Sequence, residues 1–133
     1  MTLAEWTHIL NLLTVTVIID GRIYKEEVDT FVTQALKLKE QISPDMLFSE
    51  KMVFDWFVVH RDETAKWLKE PDSTAQILRH IHGLRETPHR KKIITAMYAI
   101  AVADENYHQT EFDALTLAAK HWQVPHPHPH QED

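Results

Sequence analysis

The sequence predicts an all-α domain of six or seven helices, and three observations carry that prediction. Glycine occurs only 2 times in 133 residues, too few for sheets joined by tight turns. Apolar residues recur at spacings of three and four, the signature of helix faces that point into a core. Helix-start signals punctuate the chain, among them Thr2-Leu-Ala-Glu5, Ser43-Pro44, Ser73-Thr-Ala-Gln76 and Thr87-Pro88.

The elements follow in order. Thr2 and Glu5 fit a capping box, and Leu3, Trp6, Leu10, Leu13 and Val17 then mark one helix face. Val15 to Ile19 is β-branched and suits a strand by propensity. Its alanine-rich counterpart, Ala99 to Ala103, identifies both as helix ends. Asp20-Gly21 breaks the first helix. A second helix runs from Lys25 to Gln41 and buries Phe31, Ala35, Leu38 and Ile42. Ser43-Pro44 opens a third, whose Leu47, Phe48, Met52, Val53, Phe54, Trp56 and Phe57 make it the most buried helix expected. Asp62 restarts the chain as a further helix to Leu68, before Pro71. Ser73 opens a short helix closed by Gly83. Thr87-Pro88 begins the next, with Ile93, Met97 and Ile100 leading to Asp104. The last helix spans Gln109 to Trp122, with Phe112, Leu115, Ala119 and Trp122 on one side. From Val124 the alternating Pro and His form an extended, solvated tail, so the domain is assigned to residues 1–123 and the tail to 124–133.

Composition bounds the function. With 14 basic and 20 acidic residues the formal charge is −6, which argues against a nucleic-acid module. There is no cysteine, hence no disulfide, thiolate metal site or cysteine nucleophile, in keeping with a cytoplasmic protein. The start, MTLAEWTHIL, lacks a basic region and cleavage pattern, so no signal peptide is read. The apolar run Leu12 to Ile19 is far short of the ~20 residues that span a bilayer, so no membrane insertion is expected.

The most informative feature is a repeat. Asp20 to Phe31, DGRIYKEEVDTF, returns 84 positions later as Asp104 to Leu115, DENYHQTEFDAL. Asp20 matches Asp104, Glu27 matches Glu111 and Asp29 matches Asp113. The apolar Ile23, Val28 and Phe31 match Tyr107, Phe112 and Leu115. An Asp at the end of one helix and a Glu in the first turn of the next face a common point across the corner. If both corners pack together, Asp20, Glu27, Asp104 and Glu111 converge. Converging carboxylates need protons, hydrogen bonds or a bridging cation, and an all-oxygen set suits Ca²⁺, Mg²⁺ or Mn²⁺ better than Zn²⁺. An EF-hand reading fails: loop positions one and three would be Thr16 and Ile18 in the first copy, Ile100 and Val102 in the second. A plain capping account stands beside the metal reading, because an N3 Glu caps a helix and the turn Asp accepts backbone N–H groups.

The remaining candidates have bland readings. His80 and His82 are two apart and point to different sides of a helix. His108 and His121 flank the last helix as surface or capping groups. His126, His128 and His130 could chelate Zn²⁺, Ni²⁺ or Cu²⁺ weakly from the tail, incidentally to function. Trp56, Trp67 and Trp122 are assigned to packing. The basic stretch His89-Arg-Lys-Lys92 reads as a solvated helix start that could equally meet a partner. Ser43, Ser49 and Ser73 sit at helix starts, none in a nucleophile elbow. No base, oxyanion donor or substrate pocket is visible, so no enzyme is expected.

The two motifs, IIDGRIYKEEVDTF and AVADENYHQTEFDAL, resemble the paired A-x-D-G-x-I-x-x-x-E motifs of the TerB-like, tellurite-resistance-associated family. The N-terminal domain of a DnaJ-like membrane co-chaperone shares that family fold. The resemblance covers most of Met1 to Trp122. It implies a helical bundle with two pseudo-symmetric halves and an acidic, metal-binding patch, carried here by Asp20, Glu27, Asp104 and Glu111. Glu105 replaces the motif glycine in the second copy, and Ile19 stands where the motif has a small Ala. The expectation is a non-enzymatic protein that binds a divalent cation in a stress response. The alternative is an interaction or homo-oligomerisation module whose acidic motifs only cap helices.

Overall fold

A computed structural model of the chain describes residues 1–18, 25–103 and 109–125, the side chains of 109–113 excepted. Six helices follow one another: α1 (Leu3–Ile18), α2 (Lys25–Ile42), α3 (Glu50–Leu68), α4 (Ser73–Gly83), α5 (Arg90–Ala101) and α6 (Gln109–Trp122). Among the described residues there is no strand, and no helix is long and apolar enough to cross a membrane.

The bundle is arranged around α1, which packs against each of the other five helices. Its start is the predicted capping box. The Thr2 N–H donates to Glu5 Oε1 at 2.9 Å and the Glu5 N–H to Thr2 Oγ1 at 3.0 Å. Leu3 stays outside, but every residue from Leu12 to Ile18 is buried. A helix that is apolar all round has to be central. Its buried hydroxyls are satisfied within the helix, Thr14 donating to Leu10 O at 2.8 Å and Thr16 to Leu12 O at 2.9 Å. β-Branched residues are thus tolerated in α1 because the packing around it outweighs their modest helix penalty.

The other helices contribute one stripe each. Phe31, Ala35 and Leu38 of α2 are buried, with Phe31 against Phe57 of α3 at a ring-centroid distance of 5.2 Å. Trp122 ties α6 to α4, its indole N–H donating to Ile81 O at 2.9 Å. α6 then closes with Gln123 in the left-handed region (φ 57°), while Val124 N–H reaches back to Ala119 O at 3.0 Å. That is a Schellman closure with glutamine where glycine is usual.

Three expectations are corrected. The chain from Ser43 to Ser49 is not helical; α3 begins at Glu50, capped by Ser49 Oγ, which accepts from Met52 N at 3.2 Å. Along that connection Met46 and Phe48 pack on the core and Leu47 is 88% exposed, an alternation of extended chain rather than helix. Phe48 meets Trp6 edge-on at 5.4 Å. Secondly, α3 is not the most buried helix. Only Val53, Phe57 and Thr64 are buried, and Met52, Phe54, Val58 and Val59 face outward. Apolar density in α3 exceeds what its edge position can bury. Thirdly, α3 runs unbroken through Asp62, since no Gly or Pro interrupts it, and this gives six helices. A smaller difference concerns α4, whose N-cap is Asp72 with no side-chain cap bond, so the Ser73 capping box does not form.

The central place of α1 sets an expected contrast. Leu13→Ala should cost about 2–5 kcal/mol through the cavity it leaves. Val59→Ala on the outer side of α3 should change stability by less than about 0.5 kcal/mol. Urea unfolding followed by circular dichroism measures both.

Candidate functional site

Both acidic copies of the repeat follow a buried helix end. α1 ends with Val17 0% and Ile18 4% exposed, and α5 ends with Ile100 and Ala101 at 0%. A helix C-terminus carries the negative end of its dipole, so these two ends bring negative potential into the interior. Lys39 in α2, Lys66 in α3 and Lys120 in α6 offset that end with a charged base in the last turn, and α4 has His80 and His82 there. α1 and α5 have none. The two helices that lead into the acidic motifs are therefore the two whose negative ends lack a basic side chain.

Of the four predicted ligands, Glu27 has a described side chain. It lies in the first turn of α2 and is 0% exposed, with interaction partners of its own. Its neighbours behave differently. Glu26 is exposed, and Asp29 makes a surface ion pair with Lys25 at 2.9 Å. The periodicity of α2 thus turns one acidic group of the motif inward and leaves Asp29 in solvent. Glu111 lies on α6, but its side chain falls outside the described residues, as do Asp20 and Asp104. Among the described residues no group of three or more acidic or histidine side chains is set to hold a metal ion.

The capping account has an internal comparison. Glu5 caps α1 through Thr2 while Thr2 is exposed and Glu5 only half-buried. Glu27 occupies a similar first-turn place in α2 but is wholly inside. Capping needs only the reach of a carboxylate to a backbone N–H; it does not need burial, which carries a heavy desolvation cost for a charged group. An acidic group taken inside is accommodated by hydrogen-bond donors, by a proton or by a cation.

A second polar feature escaped the sequence reading. His8 of α1 and His80 of α4 meet with their Nδ1 atoms 3.0 Å apart. Trp67 covers His80 at a centroid distance of 6.3 Å. Gly83 makes room for the pair, because a Cβ there would overlap the His8 imidazole. One ring must donate and the other accept, so the contact requires at least one unprotonated Nδ1. Burial, then the neighbouring His8 and Arg79, push His80 down to about 4. The two histidines are 72 positions apart, and no local pattern announces such a pair. His82, by contrast, is exposed.

A family model described as "Tellurite resistance protein TerB" matches residues 7–131, nearly the whole chain. Neither the curated proteins nor the solved structures gave a match.

The histidine pair makes stability depend on pH with a definite sign. His80 stays neutral in the folded chain down to about pH 4, whereas the unfolded chain takes up the proton near the ordinary histidine value of about 6.5. Its contribution is therefore complete above pH 6.5 and is lost as pH falls from there toward 4. Melting temperature should drop across that window, and less steeply in His80→Gln. Equal slopes for the two chains would show that the pair does not titrate with folding.

Proposed function

The chain belongs to the TerB family, and from that premise we propose that it is a non-enzymatic helical protein binding a divalent cation through its two acidic corners. Asp20 and Glu27 supply one corner, Asp104 and Glu111 the other. The ion is Ca²⁺, Mg²⁺ or Mn²⁺, as all-oxygen ligation favours. The single observation that carries this reading is the complete burial of Glu27. Support also comes from the helix ends that lead into both motifs without a basic side chain. The packing is reciprocal as well. α1 and α5 pack on each other, α1 also packs on α6, and α5 on α2, as expected of two halves folded against one another. In this reading the protein acts in the cytoplasm in a tellurite-type stress response, following the family's description.

The reading is tested by thermal unfolding of a chain ending at Val124, which removes the tail histidines. One of the three cations should raise the melting temperature saturably over a chelator control; at a hundredfold excess over Kd the gain is about 2.7 kcal/mol. Asp20→Asn with Asp104→Asn should abolish the gain with helical content intact. A rise that persists in that double variant would place the ion elsewhere.

A second reading rests on α3. Met52, Phe54 and Val58 are 45%, 46% and 39% exposed, and Val59 is 72% exposed, more apolar surface than one edge helix usually leaves in solvent. It makes the protein an interaction or self-association module. Sedimentation should then give a mass that rises with concentration and returns to the monomer value in Phe54→Ser with Val59→Ser. A constant monomer mass would exclude self-association.

A further inference from the structure

A groove of about 410 Å³ lies between α2 and α5, and its lining includes none of the acidic residues of the repeat. Lys37, Leu38 and Gln41 of α2 form one wall and Lys91, Lys92 and Thr95 of α5 the other, with no carboxylate lining it. Each set falls on one helix face, at spacings of one, three and four residues. In a chain of net charge −6, three ammonium groups thus gather around one concavity.

Among the described residues the lysines of the groove, like Lys66, Lys69 and Lys120, have no ion pair, and what sets them apart is that they share one concavity. Lys25, Lys39 and Lys51 are each held by a carboxylate, Asp29, Glu40 and Asp55 respectively. Among the described residues no hydrogen bond or ion pair holds the ammonium groups of Lys37, Lys91 or Lys92. Arg90 is directed elsewhere, donating to Arg85 O at 2.7 Å. The Thr95 hydroxyl is spent on Lys91 O, so the lysines, Gln34 and Gln41 remain as donors. Lysine clustering is unfavourable without counter-charge. The position of Lys91 and Lys92 adds to this, because the first turn of α5 has no acidic residue and its N-cap His89 makes no side-chain cap bond. Basic side chains at a positive helix end oppose the dipole; an anion in the groove would reverse the sign of both terms.

We propose that this groove binds a soluble or lipid-borne anion carrying two or more phosphate groups. A single phosphate satisfies one wall, whereas lysines on two facing helices call for charge spread along the groove. Compact ammonium groups on flexible stems suit phosphate oxygens of varied arrangement.

Inorganic triphosphate is the probe, titrated into the full chain in metal-free, low-salt buffer so that no cation takes part. Saturable calorimetric binding is expected, with amide shift changes gathered in residues 34–41 and 88–95. Lys91→Gln with Lys92→Gln, and separately Lys37→Gln, should each weaken it by about tenfold, with unchanged circular dichroism. Vesicles of phosphatidylcholine with phosphatidylinositol bisphosphate decide the source. Retention that triphosphate reverses and the lysine variants lose assigns the phosphates to a lipid headgroup. Triphosphate binding without retention assigns them to a soluble ligand. Absence of saturable binding to either probe, or affinity unchanged in both lysine variants, overturns the proposal.

Discussion

The burial of the C-terminal half of α1 is the constraint on which the rest of the structure depends. From Leu12 to Ile18 there is no solvent-facing residue, so five other helices have to be placed around it. Each then needs only one apolar stripe, which is what α2, α4, α5 and α6 provide. The cost of enclosing a helix falls on its polar atoms. Thr14 and Thr16 meet it locally by bonding to carbonyls one turn back. His8 meets it across the interface with α4, where a glycine leaves space for the ring.

The same enclosure shapes the electrostatics. A helix end at the surface has its partial charge screened by water; an end held inside keeps it. α1 and α5 both end among residues that are essentially unexposed, and both run directly into the acidic motif. Lysine in the last turn would be the ordinary compensation, and α2, α3 and α6 have it. Glu27, wholly buried in the first turn of α2, places an acidic side chain in that interior. A buried acidic side chain is accommodated by a proton, by hydrogen-bond donors or by a cation.

Much of this fold was legible in the sequence because its signals are local. The bounds of α2, α4 and α6 follow from periodicity and from Gly83, and the Thr2–Glu5 box is a four-residue pattern that forms as written. The failures are of another kind. Apolar density made α3 look central, yet burial depends on where a helix sits, and α3 lies at an edge with Val59 outward. Ser43-Pro44 carried a helix-start signal, but Phe48 gains more by packing on Trp6, and the helix waits for Ser49. At the site, the repeat identified Glu27 by position, while its burial is a tertiary property that no local pattern states. The His8–His80 pair and the approach of Lys37 to Lys91 and Lys92 have no local signature at all, since each is made by two helices distant in sequence.

α5 joins these threads, because its charges oppose its own dipole at both ends. Its first turn holds Arg90, Lys91 and Lys92 where acidic groups are favoured, and its last turn, free of bases, leads to Asp104. A helix under selection for stability alone would drift toward the reverse arrangement at its start, where Lys91 and Lys92 are exposed and single surface substitutions suffice. Ligands of opposite sign at the two ends would convert both penalties into attractions: a phosphate-bearing anion at the start, a divalent cation at the close. With 12 residues, the helix spans roughly 18 Å, about two Debye lengths at physiological salt. Direct charge coupling between such ends through solvent is weak at that range. Any influence of one ligand on the other must therefore travel through the packed helix itself, as a shift of α5 against α1 and α2.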